Sequence, residues 1–173
     1  MKIEEFVQKS EGVWKSMRSS HSLSFQQFEQ IKSLIKIERV SINSREIKSL
    51  IIKSSVTSDN LCCPFKIAWS SESDWEENES TSGECFCLPI NQEKNKGQIV
   101  RSTGYAENIP CLSDYEFLTD NTFILKTIYD QSIVEERIWF ISNNLRCRSS
   151  TISTSKGTGI LQISFASELR QTS

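Results

Sequence analysis

"VEERIWFISNNLRCRSS" (residues 134–150) reads as two strands that meet at Asn143-Asn144. Side chains alternate along a strand with period two, so Arg146 and Arg148 point the same way. That face looks either at water or at something anionic. Loop length decides which residues join the arginines, because a shift of one position turns every side chain to the other face. A two-residue loop pairs Trp139 with Arg148 and puts Glu136 on the opposite face. A three-residue loop, Ser142-Asn143-Asn144 with one asparagine left-handed, pairs Phe140 with Arg146 and Ile138 with Arg148. Glu136 then faces Ser150 and shares a surface with both arginines, while Trp139, Ile141, Leu145 and Cys147 carry the other surface. The three-residue loop is the favoured reading.

Two readings of the arginine face stay open. In the plainer one it is wet and the Trp139 face is the core, as for most charged strand faces. In the other, the arginines point into a barrel lumen. Buried guanidinium groups are too costly without carboxylates. Glu136 alone is too little for two arginines, so a ligand is expected to bring the remaining negative charge. An R-x-R pair grips carboxylates bidentately and suits an acid-bearing molecule.

Similar short apolar segments fill the rest of the chain. Strands are expected in WKSMRSSHSL (14–23), SLIKIERVSI (33–42), CCPFKIAWS (62–70), ECFCLPI (84–90), GQIVRST (97–103), PCLSDYEFL (110–118), TFILKTIYD (122–130) and GILQISFAS (159–167). Residues 3–9 suit a short amphipathic helix with Ile3, Phe6 and Val7 on one side. SREIKSLIIKSS (44–55) is either a helix opened by a Ser44 cap or another strand. Residues 70–84, acidic and holding Trp75, read as a solvated loop. Turn signals stand at Asp120-Asn121, Asn143-Asn144 and 156–159, where the phosphate-loop pattern is missing. About ten short strands in one unit, 1–173, make an all-β antiparallel barrel or sandwich.

Composition narrows the function. The 173 residues suffice for one core, and 37% hydrophobic content with mean hydropathy −0.37 fits a soluble protein. No apolar run approaches the roughly 20 residues that span a bilayer, so no membrane role is expected. The N-terminus MKIEEFVQKSEG resembles neither a signal nor a transit peptide, which points to a cytoplasm-like compartment. A net charge of −2 with no basic block argues against nucleic acid. The six cysteines are expected as reduced, buried apolar side chains, without zinc-ligand spacing. His21 is the single histidine, so a Ser-His-Asp or Cys-His machine would rest on it alone.

The chain resembles the S-type phycobiliprotein lyases, the CpcS/CpeS family, and within them most the CpeS branch. The likeness runs through EGVWKSMRSSHSL near the start, GYAENIP (104–110), EERIWFISNNLRCRSS (135–150) and FASELR (165–170), in that order and spacing. Ser22 stands where many members have a second histidine, and Asn143 where proline is common. The resemblance implies a lipocalin-like, fatty-acid-binding-protein-like barrel of about ten strands with one or two short helices. It also implies an enzyme that takes a free linear tetrapyrrole and joins it by a thioether bond to a cysteine of a phycobiliprotein subunit.

On that resemblance Arg146 and Arg148 would hold the propionates of the bilin, with Arg18 as a third cation and Ser150 beside them. Glu136 would hydrogen-bond the pyrrole nitrogens or stabilise a protonated pigment. Glu168 is a second candidate for that work, or a partner that orients Arg170. Trp69 and Trp75 would stack on the pigment, Trp75 as part of a lid. No tightly bound cofactor and no metal are implied. The CpeS branch and the Lys/Ile/Ser/Asn-rich composition favour phycoerythrobilin over phycocyanobilin, and the beta subunit of phycoerythrin as client, in a cyanobacterium-like cytoplasm or a plastid. Dimerisation stays open. Rival readings are a passive carrier of a fatty acid, retinoid or tetrapyrrole, and a non-catalytic assembly chaperone that uses the Trp139 face or the acidic loop.

Overall fold

The computed structural model describes residues 1–57, 59–73, 80–103, 109–156 and 159–172. They form two helices, α1 (Ile3–Ser10) and α2 (Arg45–Ser54), and ten strands: β1 (Gly12–Ser22), β2 (Gln27–Arg39), β3 (Phe65–Ser73), β4 (Ser80–Glu93), β5 (Lys96–Arg101), β6 (Cys111–Phe117), β7 (Phe123–Ile128), β8 (Ser132–Phe140), β9 (Leu145–Thr154) and β10 (Ile160–Arg170). Each strand pairs with its neighbours in the chain, and β10 returns to β1, so the sheet closes into a barrel. Closure leaves no outermost strand in the sheet. A barrel of this size has room inside for more than its own side chains.

Helix α1 plugs one end. Its apolar side, Ile3, Phe6 and Val7, is buried, and Phe6 stacks on Phe123 at 4.2 Å between ring centroids. Trp14, wholly buried at the start of β1, donates from Nε1 to the Ser10 carbonyl at 2.9 Å and ties the barrel to the end of this helix. Arg170, at the far end of β10, donates to the carbonyls of Lys9 and Glu11. A guanidinium at a helix C-terminus meets carbonyls left without partners in the last turn.

The 44–55 segment is a helix. The Ser44 hydroxyl accepts from the Ile47 amide at 3.3 Å, which caps α2. Ile47 and Leu50 pack against Leu88, Ile90 and Val100 on the outer wall of β4 and β5. Those strands are therefore buried on both faces, which is why GQIVRST shows no alternation. β2 starts at Gln27, well before the expected 33, and keeps strict period two: Ile31, Ile35 and Ile37 are buried while Leu34 lies on the outer wall. The solvated loop expected over 70–84 is shorter than read. β3 and β4 carry ladder pairing through Ser71↔Thr81 and Glu72↔Ser80, and Ser71 shares a 2.8 Å hydroxyl–hydroxyl bond with Ser33. Positions 74–79 lie outside the described residues.

The β8–β9 hairpin has the register of the three-residue loop. Glu136 faces Ser150, Ile138 faces Arg148 and Phe140 faces Arg146. The expected left-handed asparagine is absent, since neither Asn143 nor Asn144 has positive φ. Anchoring replaces it: the Ser142 hydroxyl accepts from the Asn144 amide, and Arg170 donates to the carbonyls of Asn143 and Asn144. The plainer reading of the arginine face is overturned. The face with Arg146 is buried, whereas Ile141 is 60% exposed and Trp139, only half-buried, leans on the exposed Phe165 outside.

Candidate functional site

The barrel interior holds a cavity of about 520 Å³, within the ~300–1,000 Å³ usual for small-molecule sites. Burial falls away from α1 along the inward face of β9, from fully buried Arg146 to half-buried Arg148, Ser150 and Ile152. The calyx thus opens at the end opposite the helix. β2, β3 and β7 contribute an apolar side through Ile31, Ile35, Ile67, Trp69 and Leu125. β8, β9 and β10 contribute a charged one.

Four ionic side chains make the charged wall. Arg146 Nε lies 2.5 Å from Glu168 Oε2, both side chains 1% exposed. Arg148 reaches Glu168 Oε1 at 3.4 Å and Glu136 Oε1 at 3.6 Å. Register explains the grouping, because Glu168 sits opposite Arg146 across β9–β10 as Glu136 sits opposite Ser150 across β8–β9. The expectation that a ligand must balance the second arginine is corrected: Glu168 contacts both cations. Glu168 does not orient Arg170, which bonds the carbonyls below it. Behind the cluster, the Arg146 guanidinium lies 4.4 Å from the Trp14 ring centroid and that of Arg170 4.2 Å.

Electrostatics keeps the Arg146–Glu168 pair ionised at neutral pH. Burial acts to raise the Glu168 carboxyl, but Arg148 and Arg146 overcome it and hold the group below the usual carboxylate range. Burial pushes Arg146 down to about 10, still cationic in the cell. Arg146 Nη2 is buried without a hydrogen-bond partner among the described residues. A buried unsatisfied donor beside a cavity marks a place for a ligand acceptor.

The remaining expected residues divide. Arg18, on β1, lines the cavity and is exposed toward its open end, and Ser150 lines the wall above Arg148. Trp69 lies on the cavity wall, its indole over Gly83, where a Cβ would come within 2.5 Å of the ring. Only glycine there lets the ring lie flat along β4. Trp75, and most of GYAENIP, lie outside the described residues. All six cysteines are free thiols. Cys85 and Cys87 are buried and face the cavity, whereas Cys62, Cys63, Cys111 and Cys147 are half-buried rather than core, the last on the outer wall with Trp139. His21 packs edge-on against Phe28, 4.8 Å between centroids.

Sequence reasoning missed one lumen cation. Arg101, at the end of β5, is buried on the cavity wall, and its Nη2 donates to Thr127 Oγ1 at 2.8 Å. Period two along Ile99 and Arg101 was the available signal, masked because Val100 is buried beneath α2.

Comparisons with known proteins agree on one family. Residues 2–171 match the family model described as CpeS-like protein. A Trichodesmium erythraeum (strain IMS101) protein, "Chromophore lyase CpcS/CpeS 3", is 45% identical over 98% of this chain and 99% of its own. A CpeS protein of Microchaete diplosiphon, whose name carries phycoerythrobilin, is 35% identical over 85% of this chain and 66% of its own. Among solved structures, the S-type phycobiliprotein lyase CPES from Guillardia theta superposes with a TM-score of 0.88 at 35% identity, covering 100% of this chain and 94% of that one. A ten-strand calyx with buried arginines turned inward is thus joined by whole-length likeness in sequence and in structure. The chain belongs to the CpcS/CpeS family of S-type chromophore lyases.

Proposed function

We propose that this protein binds phycoerythrobilin in its calyx and attaches it by a thioether bond to a cysteine of a phycobiliprotein subunit, with the phycoerythrin beta subunit as client. The observation that carries the reading is the Arg146–Arg148 pair turned into an open cavity beside two carboxylates, with one buried guanidinium donor left for a ligand. A linear tetrapyrrole is a long conjugated plane with two propionates and a row of ring nitrogens. The apolar side with Trp69 suits the plane, and the charged wall suits its polar edge.

In this reading Arg146 and Arg148 clamp propionates, and Arg18 and Ser150 complete the grip toward the opening. Glu136 accepts from the pyrrole N–H groups and stabilises a protonated, more electrophilic pigment. Glu168 holds both arginines in place rather than touching the pigment first. The client thiol adds across the ethylidene double bond of ring A: sulfur bonds to the exocyclic carbon, the proton goes to the ring carbon, and nothing leaves. Bilins undergo this addition slowly unaided, so the protein contributes by holding one conformer and presenting ring A. The reaction belongs in a cyanobacterium-like cytoplasm or a plastid, where phycobiliproteins are assembled.

The experiment is an absorbance titration of the purified protein with phycoerythrobilin. A saturable red-shifted spectrum with one equivalent bound supports the reading. An unchanged pigment spectrum at high protein concentration contradicts it.

A further inference from the structure

A second polar cluster sits on another part of the calyx wall, two to four strands round the closed sheet from β9. Arg101 on β5, Ser113 on β6 and Thr127 on β7 occupy neighbouring inward positions and are 7%, 1% and 1% exposed. Arg101 Nη2 donates to Thr127 Oγ1 at 2.8 Å, and Thr127 Oγ1 shares a 2.8 Å hydrogen bond with Ser113 Oγ. Arg101 lines the cavity, while the two hydroxyls stand behind it and fix the direction of the guanidinium. Around it the wall is mainly apolar or thiol, with Ile99, Leu125, Cys85 and Cys87, and Thr103 beside them. Placing a guanidinium in such surroundings is costly, and a fixed, supported donor is the arrangement a binding site needs.

The order round the wall is informative. Arg101 stands on β5, Glu136 on β8, and Arg146 with Arg148 on β9. Thr127 lies one inward position from Leu125, which faces Glu136 across β7–β8. The calyx therefore offers a cation on either side of a carboxylate. With propionates on the β9 arginines and ring nitrogens on Glu136, the oxygen acceptors still to be met on a linear tetrapyrrole are its terminal lactam carbonyls. Building on the function above, we infer that Arg101 is a further binding residue that donates to the lactam carbonyl of one terminal ring, with Thr127 and Ser113 as positioning residues. The contact fixes which way round the pigment lies, and so which terminal ring meets the client thiol.

The test uses full-length wild type, Arg101→Met, Arg101→Lys and Thr127→Val, each checked for folding by circular dichroism. Each is titrated with phycoerythrobilin and with its dimethyl ester, then assayed for adduct on a phycobiliprotein subunit. Arg101→Met is expected to bind on the order of tenfold more weakly, with a shifted bound-pigment absorption maximum and a mixed population of adducts. Thr127→Val, which leaves the guanidinium but frees its direction, is expected to shift the same maximum with a smaller loss of affinity. The loss in Arg101→Met should be the same for the free acid and the ester. A loss present only with the free acid places a propionate on Arg101 and overturns the lactam assignment. Wild-type affinity, spectrum and adduct in folded Arg101→Met overturn the inference while leaving the functional reading intact. A wild type that binds no pigment overturns both.

Discussion

Arg146 and Glu168 face each other across the β9–β10 ladder, 2.5 Å apart between Nε and Oε2, at the buried end of the calyx. Neither group is at home there alone. Removing one partner of a buried pair leaves an uncompensated charge. Glu168→Ala is therefore expected to destabilise the fold by about 3–5 kcal/mol, because two arginines lose their shared carboxylate. Urea denaturation followed by tryptophan fluorescence measures it. A loss within ~0.5 kcal/mol, the range of ordinary surface substitutions, would show that the pair is not what stabilises the cluster.

Arg146→Ala, checked for folding by circular dichroism, tests binding. In the proposed clamp it removes a charge-assisted contact to the pigment, worth about 1.5–3 kcal/mol, and should raise the Kd for phycoerythrobilin by on the order of ten- to a hundredfold. The Glu168 charge it leaves behind still has Arg148 at 3.4 Å. Absorbance titration reads the change, and an unaltered Kd would count against propionates on this arginine.

Acid should loosen the same cluster. Glu168 is held below the usual carboxylate range by Arg148 and Arg146 against the effect of burial. A depressed carboxyl contributes stability that is complete above its unfolded pKa, about 4.3, and is lost as pH falls through the lower folded value. Thermal melts of the wild type should hold steady from neutrality to about pH 5 and fall steeply below pH 4. Glu168→Gln should flatten part of that acid limb. Parallel acid limbs in the two proteins would mean that other carboxyls govern it.

The thiols offer a test of mechanism. In the proposed reaction the attacking sulfur belongs to the client, so replacing all six cysteines with serine or alanine should leave pigment transfer largely intact. Cys85 and Cys87 are buried on the cavity wall, and alanine there will cost some stability. Abolished transfer in a folded thiol-free variant would require a covalent enzyme intermediate.

Much of this architecture was legible in the sequence, and the exceptions have physical causes. Period two and the hairpin loop length placed Glu136, Arg146 and Arg148 on one surface, as the β8–β9 register shows. Sequence could not say which surface faced inward, because Trp139, Ile141 and Phe165 make the outer wall nearly as apolar as the inner one. The Glu168 contact to both arginines depends on the register of β10, which the turn signal at 156–159 does not fix, since an irregularity lies between Ile160 and Gln162. The left-handed asparagine failed because a long-range anchor, Arg170, holds the loop instead of local backbone geometry. Arg101 stayed hidden because α2 buries the opposite face of its strand. The resemblance to S-type lyases identified the family, and the geometry then showed how the named side chains meet.

Pigment transfer itself is the decisive measurement. The protein, a cysteine-bearing phycobiliprotein subunit and either phycoerythrobilin or phycocyanobilin are mixed, and zinc-enhanced fluorescence of the subunit is read on a denaturing gel. Covalent pigment on the client well above the enzyme-free background, stronger with phycoerythrobilin and lost with Arg146→Ala, is the predicted result. Tight pigment binding with no labelling above background would make this calyx a carrier and contradict the account.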